Sequence, residues 1–362
     1  MLFYFALNIL FALFSIIELL SRKCGITKLL FGISVFILFI LSFIRWETGT
    51  DWEHYLKMYF WIRVPWEDFD SGMEYGFLFV ENLGKSIFDD YTGVLFIFAL
   101  IIYGCICYAY PRLCRYPMVA LWVSFCVTFA SMLFVRQNVA GAILLISLMC
   151  AYRHDFKGFI FSVFIASLFH RTAWAFIIVY PLFNRVYTQK TIIIGLLVSV
   201  VVGLAMSKFI LGTLGVLFSG VIEAKINTYL ELGTNDNSMS YSTSFILLKG
   251  FANRCVLLIL FLFEFKESVR KNDRLLNGLL NVYVFGTILY CSLLPLSISL
   301  ARVAVYMDIV QIFLISTILV HQKRMANRLL LFFVFWCYYI IRFYTYLMSY
   351  EHEFMPFNTI FS

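Results

Sequence analysis

Phe156 to Phe183 is an apolar run broken once, in its middle, by the adjacent pair His170 and Arg171. Two polar side chains side by side are costly in hydrocarbon, so an ionisable pair inside an apolar segment points to a functional site that needs an anionic partner. Length does not explain the break. Gly158 to Phe169 is twelve residues, and a helix of that size rises only ~18 Å against a hydrocarbon core of ~30 Å. Ala173 to Phe183 falls short in the same way. The segment therefore reads either as two short tilted spans or as a re-entrant hairpin with His170 at its tip. In both cases the free N–H groups near Arg171 and Thr172, at the start of the second half, add a partial positive charge to the guanidinium.

Further basic residues lie in or near apolar runs: Arg45, Arg136, Lys208, Lys225, Lys249, Arg254, Arg302 and Arg342. Arg136 stands between two apolar runs, Arg302 opens another, and Arg254 and Arg342 lie well inside theirs. Guanidinium forks grip phosphate oxygens in pairs, so several converging arginines suggest a lipid-linked phosphate or pyrophosphate. Each residue also has a plainer role open to it. Lys208 and Lys225 fit interfacial snorkelling, Arg45 can pair with Glu47 or Asp51, and the other arginines can pair with carboxylates or backbone carbonyls. His170 can serve as a helix-packing donor. In the stretch Arg45 to Tyr55, a turn at Gly49 precedes a short helix capped by Thr50 or Asp51. There Asp51 and Tyr55 share a face at i and i+4, and Asp51 is either only a cap or a carboxylate available as a general base.

The elements that must position these groups follow from composition. The 362 residues are 62% apolar, 19% aromatic and only 14% charged, with a net charge of +7 and a mean hydropathy of +0.88. That is a polytopic all-α membrane protein with one transmembrane domain over 1–362 and no room for a sizeable soluble domain. Met1 to Leu20 lacks a basic leading region and a cleavage site, so it is expected to be the first span. The other candidate runs are Leu29 to Ile44, Gly93 to Tyr110, Met118 to Val135, Val139 to Tyr152, Thr191 to Leu211, Ser244 to Phe265, Leu275 to Pro295, Val303 to Val320 and Leu329 to Met348. With the broken pair at 157–183 they make about twelve transmembrane segments.

Sixteen of the 28 Lys and Arg fall in alternate loops at 21–28, 111–117, 153–157, 184–190, 266–274 and 321–328, which places those loops in the cytoplasm. Both termini and the loops 45–92 and 212–243 are then expected outside. The first of these carries ten acids, Glu74 and Glu81 among them, against four bases. None of the nine cysteines lies in an expected outer loop, so disulfides are not expected. Metal and nucleotide motifs are missing from the sequence: there is no His-Glu-x-x-His, Asp-x-Asp or glycine-rich phosphate loop, so neither a metal nor another cofactor is expected. No second-half copy of the first half stands out, which weakens an inverted-repeat transporter.

Several of these residues recur in order: Arg45 with Gly49, Thr50, Asp51 and Tyr55; Glu74 with Gly76; Arg136 with Ala140; Phe169 and His170 followed by Thr172 and Ala173; Lys225 with Tyr229; Arg302 with Tyr306. Together, over roughly residues 40 to 310, the ordered set resembles the EpsG/Wzy-type polysaccharide polymerases. Arg342 has no counterpart in it, and the tail Glu351 to Ser362 adds little. The resemblance implies a GT-C-like polymerase architecture in the bacterial plasma (inner) membrane. It implies joining of oligosaccharide repeat units carried on undecaprenyl pyrophosphate, at the outer face, by metal-independent glycosyl transfer. Arg136, Arg171 and Arg302 would hold the pyrophosphate as it leaves, and His170 or Asp51 would take the proton of the attacking sugar hydroxyl. Arg254, Arg45, Arg342, Tyr55 and Tyr306 complete the set expected to bind pyrophosphate or glycan. The expected partners are that lipid-linked glycan, membrane lipid and a chain-length regulator, with no nucleic acid. A lipid-linked oligosaccharide flippase, an O-antigen-type ligase and an acyltransferase using His170 are the competing readings.

Overall fold

The computed structural model describes residues 1–21, 24–49, 51–61, 73–128, 135–209, 243–295 and 298–361. Thr50, Lys225, Tyr229 and nearly all of the expected 212–243 loop lie outside them. Among the described residues the protein is helical with no named strand; its single β-bridge joins Arg45 to Thr359. Six helical segments are long and apolar enough to cross a membrane: Leu2–Leu20, Gly25–Ile44, Tyr91–Leu113, Arg274–Leu293, Arg302–His321 and Met325–Ser349. Several other expected runs form shorter apolar helices of 10–17 residues. The helical membrane protein read from composition is therefore present, with six helices long and apolar enough to cross among the described residues where about twelve transmembrane segments were expected.

By its contacts the chain divides into two compact units, Met1–Ile177 with Ile315–Ser362, and Ile178–Leu314. The first holds α1 (Leu2–Leu20), α2 (Cys24–Ile44), α3 (Trp52–Trp61), α4 (Tyr75–Phe88), α5 (Tyr91–Leu113), α6 (Pro117–Thr128), α7 (Val135–Tyr152) and α8 (Phe156–Ser167). In this unit α1 packs on α6, α2 on α5, and α7 on both α5 and α8. One buried acid fixes the first pairing. Both carboxylate oxygens of Glu18 accept N–H bonds of 3.1 Å from the start of α6, from Met118 and Val119, where Pro117 opens the helix and the macrodipole favours an anion. Asp155 does the same for α8 through Gly158 N–H at 2.9 Å.

The break foreseen around His170 is present. The α-helical pattern of α8 ends at Ser167, and after Leu168–His170 the chain resumes as a 3-10 helix, Arg171–Ile178, before the short α9 (Val179–Phe183). A 3-10 helix stacks side chains at i and i+3, and the fully buried residues here, Ala173, Phe176 and Val179, repeat at that spacing. An apolar face with period three suits the tighter helix.

The outer loop expected at 45–92 is itself partly helical: α3 and α4 lie in it, and neither is among the apolar spans. The C-terminal tail closes over its first residues. Trp46 N–H donates to Asn358 O at 2.9 Å, Gly49 N–H to Glu353 O at 2.8 Å and Ile360 N–H to Ile44 O at 2.9 Å, while the Thr48 hydroxyl accepts from Asn358 N–H at 3.3 Å. A tail that adds little to the sequence motifs is thus the backbone partner of the Arg45–Gly49 turn. The first unit is completed by α17 (Met325–Ser349) and α18 (Glu351–Phe354), the former packed on α1 and α6.

The second unit contains α9, α10 (Gln189–Phe209), α11 (Thr243–Glu264), α12 (Glu267–Asn272), α13 (Arg274–Leu293), α14 (Ile298–Ala301), a 3-10 turn at Arg302–Ala304 and α15 (Val305–Asp308); α16 (Gln311–His321) begins in it. α13 is its centre, packed on α10, α11 and α15. Two asparagines on α13 satisfy carbonyls at the end of α9: Asn277 donates to Arg185 O at 2.8 Å, and Asn281 to Leu182 O at 2.9 Å and Arg185 O at 2.6 Å. Gly278 lets the Phe183 ring approach so closely that a Cβ would lie 2.3 Å from it. Such polar bonds and small-residue contacts carry helix association where burial from water does not.

Candidate functional site

Arg136 lies in the first turn of α7, and its guanidinium meets residues from two other elements. Nη1 donates to Glu74 Oε2 at 2.9 Å and lies 2.9 Å from Met73 Sδ, while Nε donates to the Tyr55 hydroxyl at 3.0 Å. The Tyr55 and Phe77 rings lie 5.5 and 5.8 Å from its Cζ. The ion pair is partly buried, with 23% of the Arg136 and 9% of the Glu74 side chain exposed.

Glu74 precedes the first residue of α4, and its second oxygen is also engaged: Oε1 accepts the backbone N–H of Arg171 at 3.2 Å. The docking of α4 on the 168–171 turn is held further by Gly76 N–H to Leu168 O at 2.8 Å. Gly76 is required there because a Cβ would come within 2.8 Å of that same carbonyl oxygen. One carboxylate is therefore clasped between a guanidinium and the N–H that opens the Arg171–Ile178 helix. This is the anion position that the sequence suggests next to His170, and an acid of the chain fills it.

His170 is half-buried, and its Nδ1 lies 2.5 Å from the Thr172 hydroxyl. The Arg171 side chain is exposed. Tyr55 is buried on α3, and burial raises its hydroxyl pKa against the opposing pull of Arg136. Asp51, at the start of the same helix, is half-buried, and its main-chain carbonyl accepts Tyr55 N–H at 3.1 Å. Arg45 is 2% exposed, donates Nη1 to Thr48 O at 3.0 Å and stacks 5.4 Å from the Trp52 ring. Its Nε has no hydrogen-bond partner among the described residues, and burial pushes its pKa down to about 10. Of the expected set, Tyr55 and Arg136 thus meet directly, and Arg136 is linked to the Arg171 backbone through Glu74, with His170 next in the chain.

In the second unit Arg254 of α11 forms an ion pair with Asp308 of α15 and lies 3.7 Å from the Tyr290 ring. Each of the two paired side chains is 15% exposed. Arg302 is exposed at the start of its 3-10 turn, and Tyr306 is buried on α15. Arg342 is half-buried on α17 in the first unit. Arg136 and Arg254, both expected to grip phosphate, are thus each matched with a carboxylate.

Sequence reasoning gave no role to the two acids that do the matching, although Glu74 stands in the ordered set. Asp308 had a signal of its own, a lone carboxylate inside the apolar run Val303 to Val320, opposite in sign to the lone arginine in Ser244 to Phe265. Glu74 stood among the acids of the outer loop, and nothing but its neighbour Gly76 marked it out. A third acid, Glu81, lies two turns further along α4 and is 1% exposed, with neither oxygen bonded among the described residues. Burial pushes its pKa up to about 8, against the pull of Lys85 and Arg136.

Among the described residues this is a helical membrane protein in which one carboxylate, Glu74, is clasped between an arginine side chain and the backbone N–H that starts a helix. A model of the EpsG family matches residues 28–359, nearly the whole chain, and the protein belongs to that family. The family is one of membrane proteins of the polysaccharide-polymerase type, with glycosyltransferase-like activity. No curated protein and no solved structure matches the chain.

Proposed function

We propose that the protein polymerises polysaccharide at the outer face of the bacterial plasma membrane, using oligosaccharide repeat units carried on undecaprenyl pyrophosphate. A hydroxyl of the acceptor sugar attacks the anomeric carbon of the donor glycan, the bond to the diphosphate lipid breaks, and the acceptor's proton passes to His170 or Asp51. Arg136 and Arg171 hold the leaving diphosphate. One direct displacement of this kind inverts the anomeric configuration. The observation that carries the reading is the clasp of Arg136 and Arg171 N–H around a carboxylate, beside His170. Both donors suit phosphate oxygens as well as carboxylate oxygens, and the anion holder adjoins a group able to move a proton.

The test is purified protein supplied with lipid-linked repeat units, followed by separation of the lipid-bound glycans by size. A ladder of lengthened chains is the expected product. Units that only cross the bilayer without lengthening would make the protein a flippase, and transfer to a different acceptor would make it a ligase.

A further inference from the structure

Arg136 has more donors than the described residues satisfy. A guanidinium carries five N–H groups, and among the described residues Arg136 uses Nε on a phenol and Nη1 on one carboxylate oxygen and a thioether, with no partner for Nη2. A thioether is a weak acceptor, and the side chain is 23% exposed, so the guanidinium is open on one side. Glu74 is fully committed by contrast, one oxygen on Arg136 and the other on Arg171 N–H.

We infer that the Glu74 carboxylate is a built-in placeholder, which a diphosphate displaces from Arg136 and from the Arg171 N–H when it binds. The inference rests on the polymerase reading for the source of the diphosphate and on geometry alone for the displacement. A diphosphate drawn to the same two donors would bring its charge against the carboxylate, and like charges at contact distance repel. The two anions therefore exchange. In the empty protein Glu74 keeps the arginine compensated and ties α4 to the 168–171 turn. In the loaded protein it releases that turn, so ligand binding and the docking of α4 are coupled. A carboxylate in this role weakens diphosphate binding, which helps an enzyme that must let go of its leaving group after every transfer.

The test measures binding of inorganic pyrophosphate to the full-length protein in detergent, at fixed ionic strength and with folding checked by thermal melting. Glu74→Gln is expected to bind about tenfold tighter, the scale of one charge-assisted hydrogen bond released for the ligand. The gain should vanish in Glu74→Gln combined with Arg136→Ala. Glu53→Gln, which removes an exposed acid of α3 paired with Lys57, should change nothing. Unchanged or weaker binding by folded Glu74→Gln overturns the inference, as does a gain that persists without Arg136 or one that Glu53→Gln reproduces.

Should Glu74→Gln fail to fold, Glu74→Asp keeps the charge but is too short to hold both donors. It is then expected to gain severalfold, and no gain there is equally fatal. A short prenyl diphosphate run in parallel separates the sources: tighter binding than inorganic pyrophosphate assigns the site to a lipid headgroup, and equal binding to the free anion. Failure of the two readings is distinguishable. Glycan chains that lengthen while Glu74→Gln shows no gain sink the placeholder alone, and a gain without any lengthening sinks the polymerase alone.

Discussion

Replacing Glu81 by Gln should flatten the pH dependence of stability. The side chain is 1% exposed and has no hydrogen-bond partner among the described residues, and an ionised carboxylate in that position is expensive. Lys85 on α4 and Arg136 on α7 favour its charged form, and Glu81 in turn acts on Tyr59 of α3 and Tyr91 of α5. Lys85 is partly engaged elsewhere, donating to Tyr59 O at 2.9 Å and lying 4.7 Å from the Tyr59 ring. Burial wins, and the pKa rises from 4.5 to about 8.

The sign follows from proton counting. Between those two values the folded protein holds a proton that the unfolded chain has released, so stability falls as pH rises from 4.5 toward 8 and stays low above it. At ~1.4 kcal/mol per pH unit the loss is at most about 4–5 kcal/mol. Compactness of the denatured chain reduces it, which leaves a shift in melting temperature on the order of 5 °C. The assay is thermal unfolding in detergent from pH 5 to 9, wild type against Glu81→Gln. The wild type should fall relative to the variant as pH rises, and the variant should be the more stable above pH 8. Parallel curves would refute the reasoning, because they would mean that Glu81 titrates no differently in the folded and unfolded chains.

Arg136→Ala, at unchanged expression, should leave mostly single repeat units on the lipid, with elongation slowed about 10²–10³-fold if it supplies transition-state charge. Gel separation of the lipid-bound glycans reads this directly, and chains of normal length from this variant would remove the diphosphate clamp. Arg254→Ala strands the Asp308 carboxylate and should cost about 3–5 kcal/mol, whereas Arg254→Met with Asp308→Leu should recover most of that loss in the same melting assay. Gly76→Ala places a Cβ 2.8 Å from Leu168 O, which should destabilise by about 1–3 kcal/mol and expose the 168–171 amides to hydrogen exchange.

Much of the helical layout was legible because hydropathy reports directly on which segments lipid accepts. The run Leu2 to Leu20 is a helix with those same ends, and Leu329 to Met348 lies inside Met325–Ser349. The break at His170 was legible too, since twelve residues cannot span the hydrocarbon. What periodicity could not show was the kind of helix that follows, because an apolar run reads the same in α and 3-10 form until the buried positions, Ala173, Phe176 and Val179, are known. Nor could it show α3 and α4 as a scaffold. The packing of α4 depends on Gly76 against Leu168 and Gly84 against Val94, close approaches that no local pattern encodes. The strap from Asn358 and Ile360 to the Arg45–Gly49 turn joins residues some three hundred positions apart through backbone groups, which carry no sequence signature at all.

The charged residues follow a rule that hydropathy alone hides. A cation in an apolar run is a cost that something must offset, and a converging ligand site is only one way to offset it. Arg254 is compensated by Asp308 and the Tyr290 ring, with its donors turned to the Gly250 carbonyl as well. Nothing in that arrangement leaves an obvious face for phosphate. Arg136 differs, since its carboxylate is shared with a backbone N–H, its thioether partner is weak, and one amino group has no partner among the described residues. Of the two paired arginines, only the second is compensated by a group that a stronger anion could replace. The same distinction predicts which activity can be rescued: loss of the Arg254 pair should be repaired by apolar packing, while apolar packing at the Arg136–Glu74 pair should restore stability but not diphosphate binding, because Arg136 also serves the ligand.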